Sequence, residues 1–153
     1  MTDIPPLAGN PVKWPANVQW RQLPDNIAFD PTGRDTPTEE VEVEELIGAS
    51  LRYALATALG LKFQVYTPTY GLGYRISCQG MSEFYRPDVD WLQGGPLVET
   101  HWREATAWLQ DHLGPDWKDQ IGSSRGALLR WLCRGIVGSR VGKTIMIPEY
   151  LSV

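Results

Sequence analysis

The stretch "YRPDVDWLQGG", residues 85–95, sets a cation (Arg86), two carboxylates (Asp88, Asp90), a flat indole (Trp91) and a carboxamide (Gln93) beside paired glycines. That mixture suits recognition: the aromatic face can stack on a ligand, and glycine admits backbone closer than a side chain would. A second set lies toward the end of the chain. Arg130 and Arg134 are four apart and so share one face of a helix, with Arg140 and Lys143 following. Arginine's planar fork fits phosphate or carboxylate. Together the two sets predict a ligand-binding site made of Tyr85, Arg86, Asp88, Asp90, Trp91, Gln93, Gly94, Gly95, Arg130 and Arg134, with an anionic, nucleotide-like small molecule as its guest. The same residues could serve the fold instead. Tyr85 and Trp91 could fill core, Asp90 could cap a turn, and the arginines could answer the negative end of a helix dipole or pair with glutamates.

Other chemistry is less well supplied. "GSRVGKT", residues 138–144, has one residue too few between its glycines for a phosphate-cradling loop. Its context is also inverted, because a helix is expected before it and a strand after it. The glycines then read as a helix C-cap at Gly138 and a tight turn. Glu99 and His101 in "VETHW" would share one side of a strand, and with Asp88 or Asp90 they offer the carboxylates and imidazole of a small hydrolase. No nucleophile motif accompanies them, and no catalytic residues are assigned. Cys78 and Cys133 with His101 and His112 make no zinc spacing, so no metal or cofactor is expected and the thiols read as buried.

The elements that must hold these groups can be read from periodicity. Seven prolines fall in the first 37 residues, which excludes a regular helix there. Trp14, Trp20, Ile27 and Phe29 give this arm apolar anchors, so residues 1–40 are expected to be an extended segment packed on the domain or exchanged with a second subunit, a route to a homo-oligomer. Val41 and Val43 alternate with glutamates as a short strand would. A helix is predicted from about Glu45 to Ala58 with Gly60 as its stop, then two extended runs around a turn at Pro68–Gly73. Ala105, Trp108, Leu109 and His112 repeat at helical spacing, predicting a helix at Trp102–Leu113. A last helix starts after Ser123 or Ser124 and carries an apolar stripe of Leu128, Leu132 and Ile136, followed by a strand that Pro148 stops.

Size and composition fit this outline. A chain of 153 residues, 42% hydrophobic and 21% charged, forms one domain with one core. The net charge of −4 argues against general nucleic-acid binding. No run approaches a membrane span, and the N-terminus lacks the features of a secretory signal, so the cytoplasm is the expected compartment.

Three stretches, "EELIGASLRYALATALGL", "YRPDVDWLQGGPLVE" and "GALLRWLCRGIVGSRVGKTIMIPEYL", resemble in order and spacing the NinX-like small phage proteins. The central match covers Tyr85, Pro87, Asp90, Trp91, Gly94, Gly95 and Pro96 of a Y-x-P-x-x-D-W-x-x-G-G-P signature. The resemblance spans about residues 41–151. It implies a phage or prophage origin and a compact fold of helices against an antiparallel sheet, with strands rather than a helix at residues 102–113. The fold expected is therefore α+β: a small antiparallel sheet packed sandwich-like with two main helices in residues 41–153, preceded by the proline-rich arm. A phage protein acting in the host cytoplasm by sequestering a nucleotide signal of host defence is the leading functional expectation. An inhibitor of a host protein or CRISPR complex, using the acidic run or the arm as its contact surface, is the alternative, and a small hydrolase is the third.

Overall fold

The structure, a computed structural model, describes residues 12–13, 28–30, 37–68 and 73–151, the first two stretches as backbone only. Six strands and five α-helices lie within them: β1 (Val12–Lys13), β2 (Ala28–Asp30), β3 (Thr38–Glu42), α1 (Ala49–Ala58), β4 (Phe63–Tyr66), β5 (Arg75–Cys78), α2 (Trp91–Thr100), α3 (Trp102–Leu113), α4 (Trp117–Gln120), α5 (Arg125–Val141) and β6 (Thr144–Pro148). The fold is α+β. One sheet has the order β1-β2-β4-β5, in which β4 is antiparallel to both β2 and β5, and β1 runs parallel to β2. The other is the antiparallel pair β3 and β6, in register from Thr38 opposite Pro148 to Glu42 opposite Thr144. Two pieces of the N-terminal arm thus join the main sheet. Trp14, Trp20 and most of the Pro68–Gly73 turn lie outside the described residues.

Helix α5 is the axis of the core. Leu129, Leu132, Cys133, Ile136 and Val137 are buried at i, i+3, i+4, i+7 and i+8, so the stripe is centred one residue later than Leu128 would place it. α1 packs on one side through Leu51 and Leu55, and α3 on the other through Ala105, Trp108 and Leu109. The α3–α5 contact is unusually close. A Cβ on Gly135 would fall 2.6 Å from the Ala105 carbonyl oxygen, and one on Gly138 would fall 2.1 Å from Trp108 Cε2. Gly138 is therefore a packing position inside α5 and not the C-cap expected of it. The helix runs one turn further, to Val141, and Gly142 with φ 94° ends it.

Residues 102–113 form a helix, as their periodicity predicts, in place of the strands that the family resemblance implied. α1 starts at Ala49, later than expected, because a single 3-10 turn at Val43–Glu45 follows β3. The largest departure is α2. Two helices were expected to dominate, and no helix was predicted at the "WLQGGP" stretch. It is helical throughout, with Pro96 inside it.

Candidate functional site

The signature residues are organised by the start of α2. Asp90 is its N-cap: the carboxylate accepts the Leu92 N–H at 2.9 Å, satisfying a donor that the helix itself leaves unpaired. Arg86 begins the turn that leads into the helix, with Asp90 N–H bonded to its carbonyl at 3.0 Å and its guanidinium 3.8 Å from the Asp90 carboxylate. Gln93 closes this turn from the helix side, accepting the Arg86 N–H at 2.8 Å and donating to the Phe84 carbonyl at 2.9 Å. Gly94 lies against the Pro87 carbonyl, where a Cβ would come within 2.0 Å, and against Leu129 of α5. Gly95 is open by comparison, with only the Trp91 ring at 3.8 Å.

The structure divides the ten residues expected to bind ligand. Asp88 is buried and held by Arg52 of α1, with Nε donating to Oδ1 at 2.7 Å and Nη2 to Oδ2 at 3.3 Å. Arg134 is buried too, its Nε donating to the Leu46 carbonyl at 2.8 Å and its guanidinium lying 4.5 Å over the Trp131 ring. Burial, then the neighbouring Arg130 cation, lowers its pKa to about 10. Tyr85 and Gly94 are also enclosed. Arg130 is half-buried and makes no hydrogen bond or ion pair among the described residues. Arg134 and Asp88 are occupied within the fold and so are not free to line one cleft with the indole.

Around the start of α2 the exposed residues are largely apolar, Arg86 apart. Trp91 is 42% exposed, Val89 53% and Leu92 89%. Three such neighbours at a helix start make a patch of the kind that soluble proteins bury against partners. Leu92 also forms one wall of a groove of about 580 Å³, whose other linings include Leu59, Leu61, Met81, Leu97 and, among polar residues, Tyr85, His101 and Arg140. A second hollow of about 740 Å³ runs along the α2–α3 junction from Gly95 to Glu104.

His101 lies at that junction between two helices and not on a strand with Glu99. Its carboxylate partner is Glu104, one helical turn on, which bonds the imidazole Nδ1. Ser139 donates to the other Glu104 oxygen at 3.3 Å, and Arg140 reaches Glu104 at 3.5 Å. The His101 hydrogen bond, with help from Arg140, holds the Glu104 carboxyl below its usual range despite some burial. With Asp88 on Arg52 and Asp90 capping α2, the hydrolase grouping drawn from the sequence is not assembled. His112 makes a parallel pair with Glu44 at 2.9 Å while its ring stacks on Trp108 at 4.5 Å.

Arg52 carried no signal in the sequence, because its partner lies 36 residues away. Leu92 could have been found: it is an apolar residue beside the singled-out Asp90 and Trp91, at a position that the i, i+3, i+4 rule turns outward once Gly94 and Val98 face the core.

The fold and this surface define an α+β protein with an exposed apolar face at the start of one helix and a mixed groove beside it. Comparison with protein-family models, with curated proteins and with solved structures finds no match for the chain. Among the described residues no helix is long and apolar enough to cross a membrane.

Proposed function

We propose that this chain is a phage accessory protein that acts by binding, and that its target is a host protein whose activity it blocks. The phage origin rests on the resemblance of residues 41–151. The observation that carries the partner reading is the outward apolar face of Val89, Trp91 and Leu92, continued by Leu61 and Met81 at 39% and 37% exposure. Aromatic and aliphatic anchors of this kind dominate the energetics of protein interfaces, whereas a nucleotide would need cations directed into the same space. The exposed carboxylates Glu39, Glu40 and Glu42 on β3 add a charged margin of the sort that steers association.

Capture from host lysate on the immobilised full chain tests the reading. Wild type and an Asp111→Asn control should retain one partner in stoichiometric amount, and Leu92→Glu should lose it at unchanged melting temperature. A protein set that is identical for wild type and Leu92→Glu would refute it. A second reading is favoured by Arg130, which lacks a partner among the described residues beside the Trp131 ring that Arg134 covers. In that reading the anionic small molecule binds at Trp131 and Arg130 instead of at Trp91. Thermal shifts with cyclic dinucleotides, lost in Arg130→Ala, would support it, and no shift with any nucleotide would remove it.

A further inference from the structure

The groove beside α2 has a chemical polarity that the partner surface lacks. One part of its lining is aliphatic: Leu59 and Leu61 after α1, Met81 from the loop after β5, and Leu92 and Leu97 of α2. The rest brings four hydrogen-bonding side chains to the same hollow, of which Gln93 is already spent on Arg86 and Phe84. Tyr85 is only 6% exposed, yet its hydroxyl makes no hydrogen bond among the described residues. His101 spends Nδ1 on Glu104 and leaves Nε2 without a partner among them. Arg140 has one distant contact with Glu104, at 3.5 Å, so most of its five N–H donors are unused. Arg140 is exposed and none of the three unused groups is sealed from water, so a solute entering the hollow meets unspent hydrogen-bonding groups beside an aliphatic wall.

We propose that this groove binds a small amphiphilic anion: an aliphatic chain with one terminal acidic head, the chain on the leucines and Met81 and the head on Arg140, with Tyr85 and His101 as its further partners. A volume of about 580 Å³ is within the range of small-ligand sites. The head must carry charge because the free donors belong to a guanidinium, a phenol and, when protonated, an imidazole. Glu104 is no substitute for it. That carboxylate already receives His101, Arg140 and Ser139, and it touches Arg140 through one oxygen only. The inference does not depend on a protein partner, and its head-group residues lie outside the Val89–Trp91–Leu92 face.

The test uses the folded full chain and the fluorescent amphiphile anilinonaphthalene sulfonate. Decanoate should displace the dye, and decanol should be at least about tenfold weaker, the scale of a charge-assisted hydrogen bond at a partly exposed site. Decyl phosphate separates the two possible heads: displacement at lower concentration than decanoate assigns phosphate, the reverse assigns carboxylate. Arg140→Gln should weaken the preferred anion about tenfold and leave decanol unchanged. Glu104→Gln, which removes the competing charge but keeps an acceptor for His101, should tighten it severalfold, an effect that a purely structural Glu104 would not produce. Amide shifts on binding should centre on residues 92–101 and 140. Equal displacement by decanoate and decanol, insensitivity to Arg140→Gln, no dye binding, or shifts centred elsewhere would each overturn the proposal.

Discussion

Gly94 and Gly95 are neighbours in one helix, and the structure predicts opposite outcomes when each is changed to alanine. Within a helix, alanine is favoured over glycine by roughly 0.5–1 kcal/mol because it loses less backbone entropy on folding. Gly95 has room for the extra methyl, its nearest neighbour being Trp91 Cε3 at 3.8 Å. Gly95→Ala should therefore gain most of that difference. At Gly94 the methyl would stand 2.0 Å from the Pro87 carbonyl oxygen and 2.8 Å from Leu129 Cδ1. The first obstacle is backbone, so the clash can be relieved only by lifting α2 away from α5 or by displacing the residue just before Asp88, which is fixed by Arg52. Overpacking of this kind costs about 1–3 kcal/mol, which exceeds the propensity gain. For a chain of this size roughly 2–4 °C of melting temperature accompanies each kcal/mol. Gly95→Ala should rise by about 1–4 °C and Gly94→Ala should fall by up to roughly 8 °C, both followed by far-UV circular dichroism with urea midpoints as a check. Equal losses at both positions would refute the helical packing argument, because that is the result expected if the pair shaped an irregular bend.

Removing one partner of the Arg52–Asp88 pair should be among the costliest single changes outside the aliphatic core. Asp88 has a side chain only 2% exposed, so Arg52→Ala leaves a buried carboxylate unpaired, at about 3 kcal/mol, and a urea midpoint shift equivalent to less than 1 kcal/mol would contradict the assignment. Cys78 and Cys133 are buried, and burial raises their thiol pKa values to about 11 and about 12. Neither should react with a thiol reagent at neutral pH in the native state, and both should react in denaturant, as absorbance of the released thiolate will report. Glu44 and Glu104 have folded-state pKa values below the ordinary 4.5, chiefly through hydrogen bonds from His112 and His101. Depressed carboxylates contribute stability that is present above their unfolded pKa and is lost as pH falls through the lower folded value. Urea midpoints should fall below about pH 4.5, and the combined Glu44→Gln and Glu104→Gln chain should show a flatter acid limb. Both groups are over a third exposed, so the effect is small, and an unchanged acid limb would show that neither pair persists in solution.

Much of the fold could be read from local pattern. The 102–113 helix follows from Ala105, Trp108 and Leu109 recurring on one face, and three of its four spaced residues pack as that spacing requires. The β4–β5 hairpin follows from two β-branched and aromatic runs about a turn. The same logic failed at α2 for a physical reason. Gly94, Gly95 and Pro96 are each poor in helices: two lack a constraining side chain and the third lacks an N–H. Local propensity therefore argues for a bend. What decides the segment is tertiary. Asp90 caps the first turn, Gln93 ties it to the strand-side loop, and the missing Cβ of Gly94 lets the helix settle on Pro87 and Leu129. A glycine that looks like a breaker in the sequence is a contact surface in the fold, and the distinction depends on a neighbour that the local pattern does not name.

The helix at α2 also decides which of residues 85–95 can face a common ligand. Treated as a bend, residues 85–95 would all be near one another and all free to face a ligand. Treated as a turn followed by a capped helix, they alternate. Tyr85, Asp88 and Gly94 go inward, while Arg86, Val89, Trp91 and Leu92 go outward. The inward carboxylate then needs a cation, which Arg52 supplies from α1, and Arg134 is drawn off to the Leu46 carbonyl and the Trp131 ring. Charge that the sequence offered to a ligand is consumed in joining α1, α2 and α5. The outward set keeps one cation, already within 3.8 Å of Asp90, and three large apolar side chains. A face of that composition gains little from a phosphate and much from losing water, which is the physical reason to look for its partner among proteins and to look for the anion in the groove that Arg140 and His101 share.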